Sequence, residues 1–440
     1  MLDINLIRTK PEWVAKQLAK RGFVADFSAI LKIDEERRKL QSINDDLKFN
    51  RNKVTGEIAV LKKNGESVDK VDKLVAEMRK IGDDITKNDR KLTELEEKMF
   101  DLMSAIPNIP ASDVVSGGKE NNKVLSQMGK KPVFDFAPKN HVDLCVDLGL
   151  IDYERAAKIS GTKTWVYTGN GALLEWALLN YFIDFHVNNG YTFVMVPHLL
   201  NYQSGLVAGQ FPKFADDVFV TNYDTDITKS KFLLPTAETA LINMHRGEII
   251  PNDKLPIKYA GYSPCYRKEA GSYRTNERGM IRGFQFNKVE MFIFCGSNDT
   301  DKLFKELVIN AEKLVEGLGL HAQTVALAAG DCSSAMARTV DVEVYIPSMN
   351  SYAEVSSISA CHDYQARRGN IKTRSITKND KSIAVSGTEF IHTLNASGLA
   401  TSRLIPAIVE QFQNSDGSVT IPKVLHKYMH NITVLKGDKK

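Results

Sequence analysis

The chain has 440 residues, of which 43% are hydrophobic, so it is long enough for two or three domains and ordinary in composition for a globular protein. Its formal net charge of +4 is compatible with a nucleic-acid partner but too small to require one. The 5 cysteines are odd in number and lack CxxC spacing, which argues against a disulfide framework and a zinc knuckle.

The sequence lacks the patterns that direct a chain to a membrane or an organelle. The N-terminal residues form neither a basic, apolar signal segment nor an Arg- and Ser-rich transit pattern. No apolar run approaches the ~18 residues of a membrane span. With the cysteine spacing, this predicts a cytoplasmic location and no membrane partner.

The first predicted elements are two long helices within residues 31–103, joined near Asn64 and Gly65. Apolar residues recur at heptad spacing for about four heptads of the second helix, with Asn88 as a polar exception. The apolar positions of that helix are Val71, Leu74, Met78, Ile81, Ile85, Leu92, Leu95, Met99 and Leu102. Because Asn-Gly tolerates positive φ and Ser67 can cap the next helix, we expect an antiparallel coiled coil about 45 Å long.

The function of this arm stays open on pattern alone. Charges of both signs cover its outer surface in about equal number, which is typical of a solvated coiled coil used for dimerisation. An arm of this length would also suit an elongated ligand such as RNA.

The chain changes character after the arm. Prolines at positions 107 and 110 end the helix, and the polar stretch to residue 131 is typical of a linker. Short β-rich segments then mix with helices, without βαβ alternation and without a GxGxxG or GxxxxGK motif. The predicted fold class is therefore α+β, with an arm domain (residues 1–104), a linker (105–131) and an antiparallel sheet flanked by helices (132–440).

Three segments of the second domain have residues suited to binding a nucleotide. Arg267 and Phe286 lie on either side of a charged, glycine-containing loop (270–279), where they would offer a planar cation to phosphate and a flat ring to a base. An ordinary surface hairpin is the alternative. Glu354 and Ser357, three residues apart, could share a Mg²⁺ ion that bridges phosphates. Arg403 follows a run of small residues at the start of an apolar helix.

The order of R-x-E, F-x-x-x-E and G-x-x-x-x-R resembles the three motifs of class II aminoacyl-tRNA synthetases, with residues 190–197 as the dimer-interface motif. Further stretches resemble the bacterial type of seryl-tRNA synthetase over essentially the whole chain. These stretches are residues 235–238, 267–272, 278–282, 286–290, 364–368 and 416–425.

The resemblance implies a homodimeric enzyme that activates L-serine with ATP and transfers it to the 3′ end of serine tRNA. It also implies that the coiled coil binds the long variable arm of that tRNA, and selenocysteine tRNA is a second candidate acceptor. The implied serine pocket is Thr236, Ala237, Glu238, Glu290 and Ser397. The implied ATP site is Arg267, Lys268, Glu269, Phe286, Glu354, Val355, Ser356, Ser357 and Arg403.

Within these sets, the resemblance implies roles for individual residues. Arg267, Glu269 and Arg403 would be catalytic, with Arg267 at the α-phosphate. Phe286 and Arg403 would sandwich the adenine ring. Glu354 and Ser357 would be the ligands of Mg²⁺.

Four positions depart from the usual pattern of the family. Phe284 stands where His is usual, Ala360 where Asn is usual, and Ala396 and Ser402 where Gly is usual. An added methyl group at Ala396 is expected to narrow the serine pocket. The alternatives are a non-catalytic, tRNA-binding paralogue and a purely structural coiled-coil protein. The presence of every charged residue implied by the resemblance favours the enzyme.

Overall fold

A computed structural model of the chain describes residues 1–65, 68–221, 226, 228–269, 279–379 and 382–437, without the side chains of 376–379 and 382–386. The predicted helix cap Ser67 and most of the predicted loop 270–279 lie outside the described residues.

Helices account for the described residues of the predicted arm on either side of the turn at Asn64 and Gly65. The α-helices are α1 (Ile4–Thr9), α2 (Pro11–Ala19), α3 (Ser28–Lys63), α4 (Val68–Ala105), α5 (His141–Asp147), α6 (Tyr153–Ser160), α7 (Gly169–Asn188), α8 (Tyr202–Ala208), α9 (Glu238–Leu241), α10 (Thr300–Gly317), α11 (Tyr364–Gly369) and α12 (Thr401–Gln411). In the described part of the chain, none of them is long and apolar enough to cross a membrane.

The strands follow the arm. They are β1 (Lys123–Met128), β2 (Ile151–Asp152), β3 (Val166–Tyr167), β4 (Thr192–Met195), β5 (Leu199–Asn201), β6 (Val220–Thr221), β7 (Lys231–Leu233), β8 (Ile249–Ile250), β9 (Ile257–Tyr266), β10 (Gln285–Cys295), β11 (Ala322–Ala326), β12 (Arg338–Ile346), β13 (Ser351–His362), β14 (Lys372–Asn379), β15 (Ser382–Phe390), β16 (His392–Ala400), β17 (Val419–Thr420) and β18 (Val434–Leu435).

One compact unit comprises residues 2–16 and 24–106, and its main feature is the hairpin of α3 and α4. The prediction of two long helices is confirmed. Val71, Ile85, Leu92 and Leu95 are buried as the heptads predict. The seam assignment of Leu102 is wrong, because Leu102 is 37% exposed whereas the adjacent Met103 is 2% exposed. A straight helix has 3.6 residues per turn and drifts away from a strict heptad seam.

Two buried polar groups stabilise this unit, and one of them fixes the alignment of the hairpin. The Asp34 carboxylate is fully buried and accepts hydrogen bonds from Arg8 Nε at 2.8 Å and Arg38 Nε at 3.0 Å. Asn44 is also buried, and its Nδ2 donates to Asp89 Oδ1 at 2.7 Å. Asn44 lies on α3 and Asp89 on α4, so sliding one helix past the other would separate this pair, which therefore selects one register. The bonds of Asp34 instead join α1 to α3.

The other compact unit comprises residues 1, 17–23 and 107–440. Among the described residues, its largest sheet has eight strands in the order β1-β11-β12-β13-β16-β10-β9-β4, and all neighbours are antiparallel except β4 and β9. The predicted α+β class with an antiparallel sheet is confirmed. The segment predicted to be a linker contributes the edge strand β1.

The sheet separates two hydrophobic cores, and β10 contributes to both. Met291 and Ile293 belong to the core that includes residues of α7, α10 and α12, whereas Phe292 and Phe294 belong to the core that includes residues of α8 and α9. This alternation follows from the two-residue period of a strand. Glu290 is two residues before Phe292, so its side chain lies on the same face of the sheet as Phe292, toward the core that includes residues of α8 and α9.

The 5 cysteines, Cys145, Cys265, Cys295, Cys332 and Cys361, are all buried free thiols. The absence of disulfides among them agrees with the prediction from their spacing.

Candidate active site

A buried cluster of polar side chains lies where β10 and β16 pair. Glu290 is 1% exposed and forms an ion pair with Lys288, which is 5% exposed. Lys288 Nζ donates a hydrogen bond to Thr236 Oγ1 at 2.7 Å. Ser397 lies opposite Glu290 in the strand register. The sheet thus holds the Glu290 carboxylate, paired with the Lys288 ammonium group, beside the hydroxyl-bearing residues Thr236 and Ser397.

Glu238, the first residue of α9, adds a second buried carboxyl group. Gln365 Nε2 donates to Glu238 Oε1 at 2.7 Å. Burial, together with the charge of Glu290, raises the pKa of Glu238 to about 7. A cation entering this pocket would favour the ionised form of Glu238, so the pocket is suited to an ammonium group.

Arg267 directly follows β9, and its guanidinium group lies over the ring of Phe286 at 5.1 Å from the centroid. Arg267 Nε also donates to the carbonyl of Pro235 at 3.2 Å. Glu269 is held by Arg282, with an Nη1–Oε2 distance of 2.8 Å. A fixed cation therefore stands next to an aromatic ring.

Arg403, in the first turn of α12, faces the same space. Its Nη1 donates to the carbonyl oxygen of Glu354 at 2.7 Å and lies 3.7 Å from Glu354 Oε2. One cavity is lined by Arg267, Glu269, Phe286, Glu354, Ser397 and Arg403, together with Ile281, Arg282, Gly283, Lys288, Ala400 and Ser402. The predicted ends of an adenine sandwich thus line a common cavity.

An acidic cavity of about 250 Å³ lies beside it, lined by Asp341, Glu343, Glu354, Ser357 and Arg403 among others. Asp341 pairs with Ser357 across β12 and β13. Burial and the neighbouring Glu354 carboxylate raise the pKa of Asp341 well above its usual range. Within the described residues, Asp341 Oδ1 has no hydrogen-bond partner.

Comparison with known proteins identifies the family. The family described as "Seryl-tRNA synthetase N-terminal domain" matches residues 1–110, and "tRNA synthetase class II core domain (G, H, P, S and T)" matches residues 220–412. The chain is 51% identical over 429 residues to serine–tRNA ligase 2 of Clostridium acetobutylicum, covering 98% of this chain and 99% of that protein. The chain belongs to the seryl-tRNA synthetase family.

Other similarities extend over the full length. The serine–tRNA ligase of Staphylococcus saprophyticus is 43% identical over 442 residues, covering 100% of both chains. The crystal structure of the seryl-tRNA synthetase from Pyrococcus horikoshii complexed with ATP has a TM-score of 0.86, with 33% identity and 100% coverage of both chains. The fold and the family are therefore those that the sequence motifs predict.

Five residues of the predicted seryl-tRNA synthetase site line neither of these cavities nor a third cavity that is lined by Thr236, Glu238 and Arg267. The five are Ala237, Lys268, Val355, Ser356 and the ion-paired Glu290. The side chains of Ala237 and Val355 belong to the two hydrophobic cores. Ser356 Oγ donates to the carbonyl of Ser397, and Lys268 is exposed, with its backbone N–H bonded to Asp217 O. Backbone groups remain available for their predicted roles, which stay predictions.

The departures from the family pattern lie mostly outside the cavity. Ala396 is fully buried in a hydrophobic core and alternates with Ser397, so its methyl group points away from the pocket and does not narrow it. Phe284 packs edge-on against Phe219, with ring centroids 5.7 Å apart. Ala360 is buried in the same core as Ala396, whereas Ser402 lines the cavity.

Three polar residues of the site had no assigned role in the sequence. Lys288 shares the strand parity of Phe286 and Glu290, and this alternation was the available signal. Gln365 belongs to a recognised motif but is 127 residues from its partner Glu238. Asn395 Nδ2 lies 3.5 Å from Glu290 Oε1, and nothing in the local sequence indicates this contact.

Proposed function

We propose that this protein is a serine–tRNA ligase. It activates serine with ATP to form seryl-adenylate and pyrophosphate, and then transfers serine to the 3′ end of serine tRNA. One observation supports this most strongly: Arg267 lines both the cavity of Thr236 and Glu238 and the cavity of Phe286 and Arg403. An ammonium pocket and a nucleotide pocket therefore meet at a fixed cation.

The buried polar cluster would select serine. Glu238 and Glu290 would bind its ammonium group, Thr236 and Ser397 would bind its hydroxyl group, and Ala237 would contribute backbone. Alanine would leave buried polar groups without partners, which costs about 1–3 kcal/mol for each group.

The nucleotide would occupy the adjoining cavity. Phe286 and Arg403 would enclose the adenine ring, because an aromatic face and a guanidinium plane both stack on a base. Arg267 would bind the α-phosphate with help from Glu269. Backbone groups of Lys268, Val355 and Ser356 complete the proposed ATP site.

The chemistry requires positioning rather than proton transfer. A serine carboxylate is ionised at neutral pH and can attack the α-phosphorus directly, without a general base. Arg267 would stabilise the charge that develops on the phosphoryl oxygens while pyrophosphate leaves. A ribose hydroxyl of the tRNA then attacks the seryl carbonyl and displaces AMP.

The acidic cavity fits a Mg²⁺ ion that accompanies ATP. Glu354 and Ser357 would hold the ion, and the unpartnered Asp341 Oδ1 is consistent with a cation nearby. In the described part of the chain, no cluster of three or more His, Cys, Asp or Glu could hold a metal alone, so phosphate oxygens would complete the shell. The bound ion would neutralise charge on the phosphates.

The arm and the sheet edge support two further parts of the proposal. The coiled coil of the arm domain (residues 1–104) would bind the long variable arm of serine tRNA and of selenocysteine tRNA. Residues 105–131 would be a linker that also adds β1 to the large sheet, and residues 132–440 would be the catalytic domain. β4 ends the large sheet and exposes Met195 at 72%, while α7 exposes Trp176 at 54%, as an apolar homodimer interface would. Buried free thiols agree with a cytoplasmic location.

The decisive experiment is amino-acid-dependent exchange of pyrophosphate into ATP with serine, threonine, alanine and glycine. Exchange with serine alone is expected. Arg267→Ala serves as the blank, and Arg155→Ala, at an exposed surface arginine, serves as the matched control that should retain exchange. Folded protein that binds serine tRNA but shows no exchange would instead identify a non-catalytic paralogue.

A further inference from the structure

A third buried carboxyl group, that of Glu175, lies behind the nucleotide cavity. Glu175 is on α7, is 3% exposed, and does not line the cavities described above. Its Oε1 accepts hydrogen bonds from Asn287 Nδ2 at 2.7 Å and Thr401 Oγ1 at 2.6 Å. One oxygen atom thus joins strand β10 to the first residue of helix α12.

These two donors are close in the chain to the two ends of the proposed adenine sandwich. Asn287 directly follows Phe286, and Thr401 precedes Arg403 by two residues. Asn287 is held further by the Tyr262 hydroxyl, which donates to Asn287 Oδ1 at 3.3 Å. Thr401 Oγ1 also lies 3.1 Å from the carbonyl oxygen of Asn287. Movement of Phe286 relative to Arg403 would therefore break bonds centred on Glu175.

Glu175 has no compensating cation among the described residues. Burial raises its pKa to about 7, although the hydrogen bonds from Thr401 and Asn287 oppose the shift. Its Oε2 accepts no hydrogen bond of ordinary geometry from the described residues. Burying a carboxyl group in this way is unfavourable. A leucine of similar volume would avoid that desolvation penalty but would leave the two donors without their acceptor. The acceptor function of Oε1 accounts for a carboxyl group at this position.

We propose that Glu175 is a positioning residue that sets the separation of Phe286 and Arg403 and thereby the affinity for the adenine ring. This inference rests on the proposed function in one respect, the placement of adenine between those two side chains. Glu175 lies outside the cavity, and it would affect ATP binding through the positions of Phe286 and Arg403 and not through contact with ATP.

The test compares the binding of ATP with that of inorganic tripolyphosphate, which lacks the adenosine, by titration calorimetry on the full chain. Glu175→Leu removes the acceptor at similar volume and should weaken the affinity for ATP roughly tenfold. The affinity for tripolyphosphate should change less than about twofold. Glu175→Gln keeps an acceptor oxygen and should bind ATP like the unmodified protein. In pyrophosphate exchange, Glu175→Leu should raise the KM for ATP and leave the KM for serine unchanged.

Two further variants separate positioning from general loss of structure. Glu410→Leu changes another buried glutamate, at the far end of α12, and should lower stability without selective loss of ATP binding. Thr401→Val removes one hydrogen-bond donor at nearly constant side-chain shape and should weaken the affinity for ATP about threefold. If Glu175→Leu does not fold, this variant tests the positioning role instead.

Unchanged ATP affinity in folded Glu175→Leu, or in Thr401→Val when Glu175→Leu does not fold, would overturn the inference. Equal weakening of ATP and tripolyphosphate would overturn it as well. If the unmodified protein binds ATP but does not exchange pyrophosphate with serine, the proposed function fails, while the calorimetric comparison still tests the role of Glu175.

Discussion

Lys288 and Glu290, two residues apart on β10, form an ion pair in which the side chains are only 6% and 2% exposed. The same ammonium group donates to Thr236. A buried ion pair adds little stability over apolar residues of the same volume, but loss of one partner leaves an uncompensated charge. The ion pair therefore makes this part of the molecule sensitive to substitution of either partner, and in the proposed function the Glu290 carboxylate would bind the serine ammonium group.

The first prediction concerns this sensitivity. Glu290→Gln should lower the free energy of unfolding by about 3 kcal/mol, because Lys288 then stays buried without its counter-charge. Adding Lys288→Met should recover most of that loss. Urea unfolding of both single variants and the double variant measures the coupling, and strictly additive effects would contradict it.

The second prediction concerns pH. The pKa values of Glu175 and Glu238 rise from 4.5 to about 7 because both groups are buried. Between pH 4.5 and 7 the folded protein therefore binds more protons than the unfolded chain, so these groups make the free energy of unfolding fall as pH rises. Glu175→Gln removes its share of the penalty.

The melting temperatures of Glu175→Gln and the unmodified protein check this sign. The difference between them should shift in favour of the variant from pH 5 to pH 8. A difference in melting temperature that is constant over this range would show that the pKa of Glu175 is the same in the folded and unfolded states.

The third prediction concerns Arg267. Arg267→Lys keeps the charge but loses the planar group that lies over Phe286, so we expect kcat of serine-dependent exchange to fall about 100-fold. Binding of serine should change little. Near-normal exchange in the lysine variant would show that a point charge suffices at this position.

The fourth prediction concerns the arm. Replacing residues 46–87 by a short Gly-Ser linker retains the Asp34 cluster and the contact between Asn44 and Asp89. This variant should form seryl-adenylate normally but fail to charge serine tRNA. The salt dependence of tRNA binding should also become shallower, because fewer phosphates are contacted. Loss of adenylate formation in the folded variant would contradict this division of roles.

The sequence predicts the features that depend on local pattern. Heptad spacing predicts α3 and α4, and short motifs predict which charged residues line shared cavities, as Arg267 and Arg403 do. It does not predict contacts that the fold brings together over long distances, such as Glu175 with Asn287, 112 residues apart. The assignment of Leu102 was wrong because a straight helix drifts from the heptad repeat. By the end of α4 the buried position has moved by one residue, to Met103.

The burial of every native cysteine has a practical consequence for spectroscopy. Burial raises the pKa of all five thiols, to about 12 for Cys145 and Cys295, so little reactive thiolate forms near neutral pH. A single cysteine introduced at an exposed arm position, for example by Asn50→Cys, would be the preferred site for a maleimide or a spin label. The label on the arm could then be observed by electron paramagnetic resonance or fluorescence spectroscopy in a protein that keeps all its native cysteines.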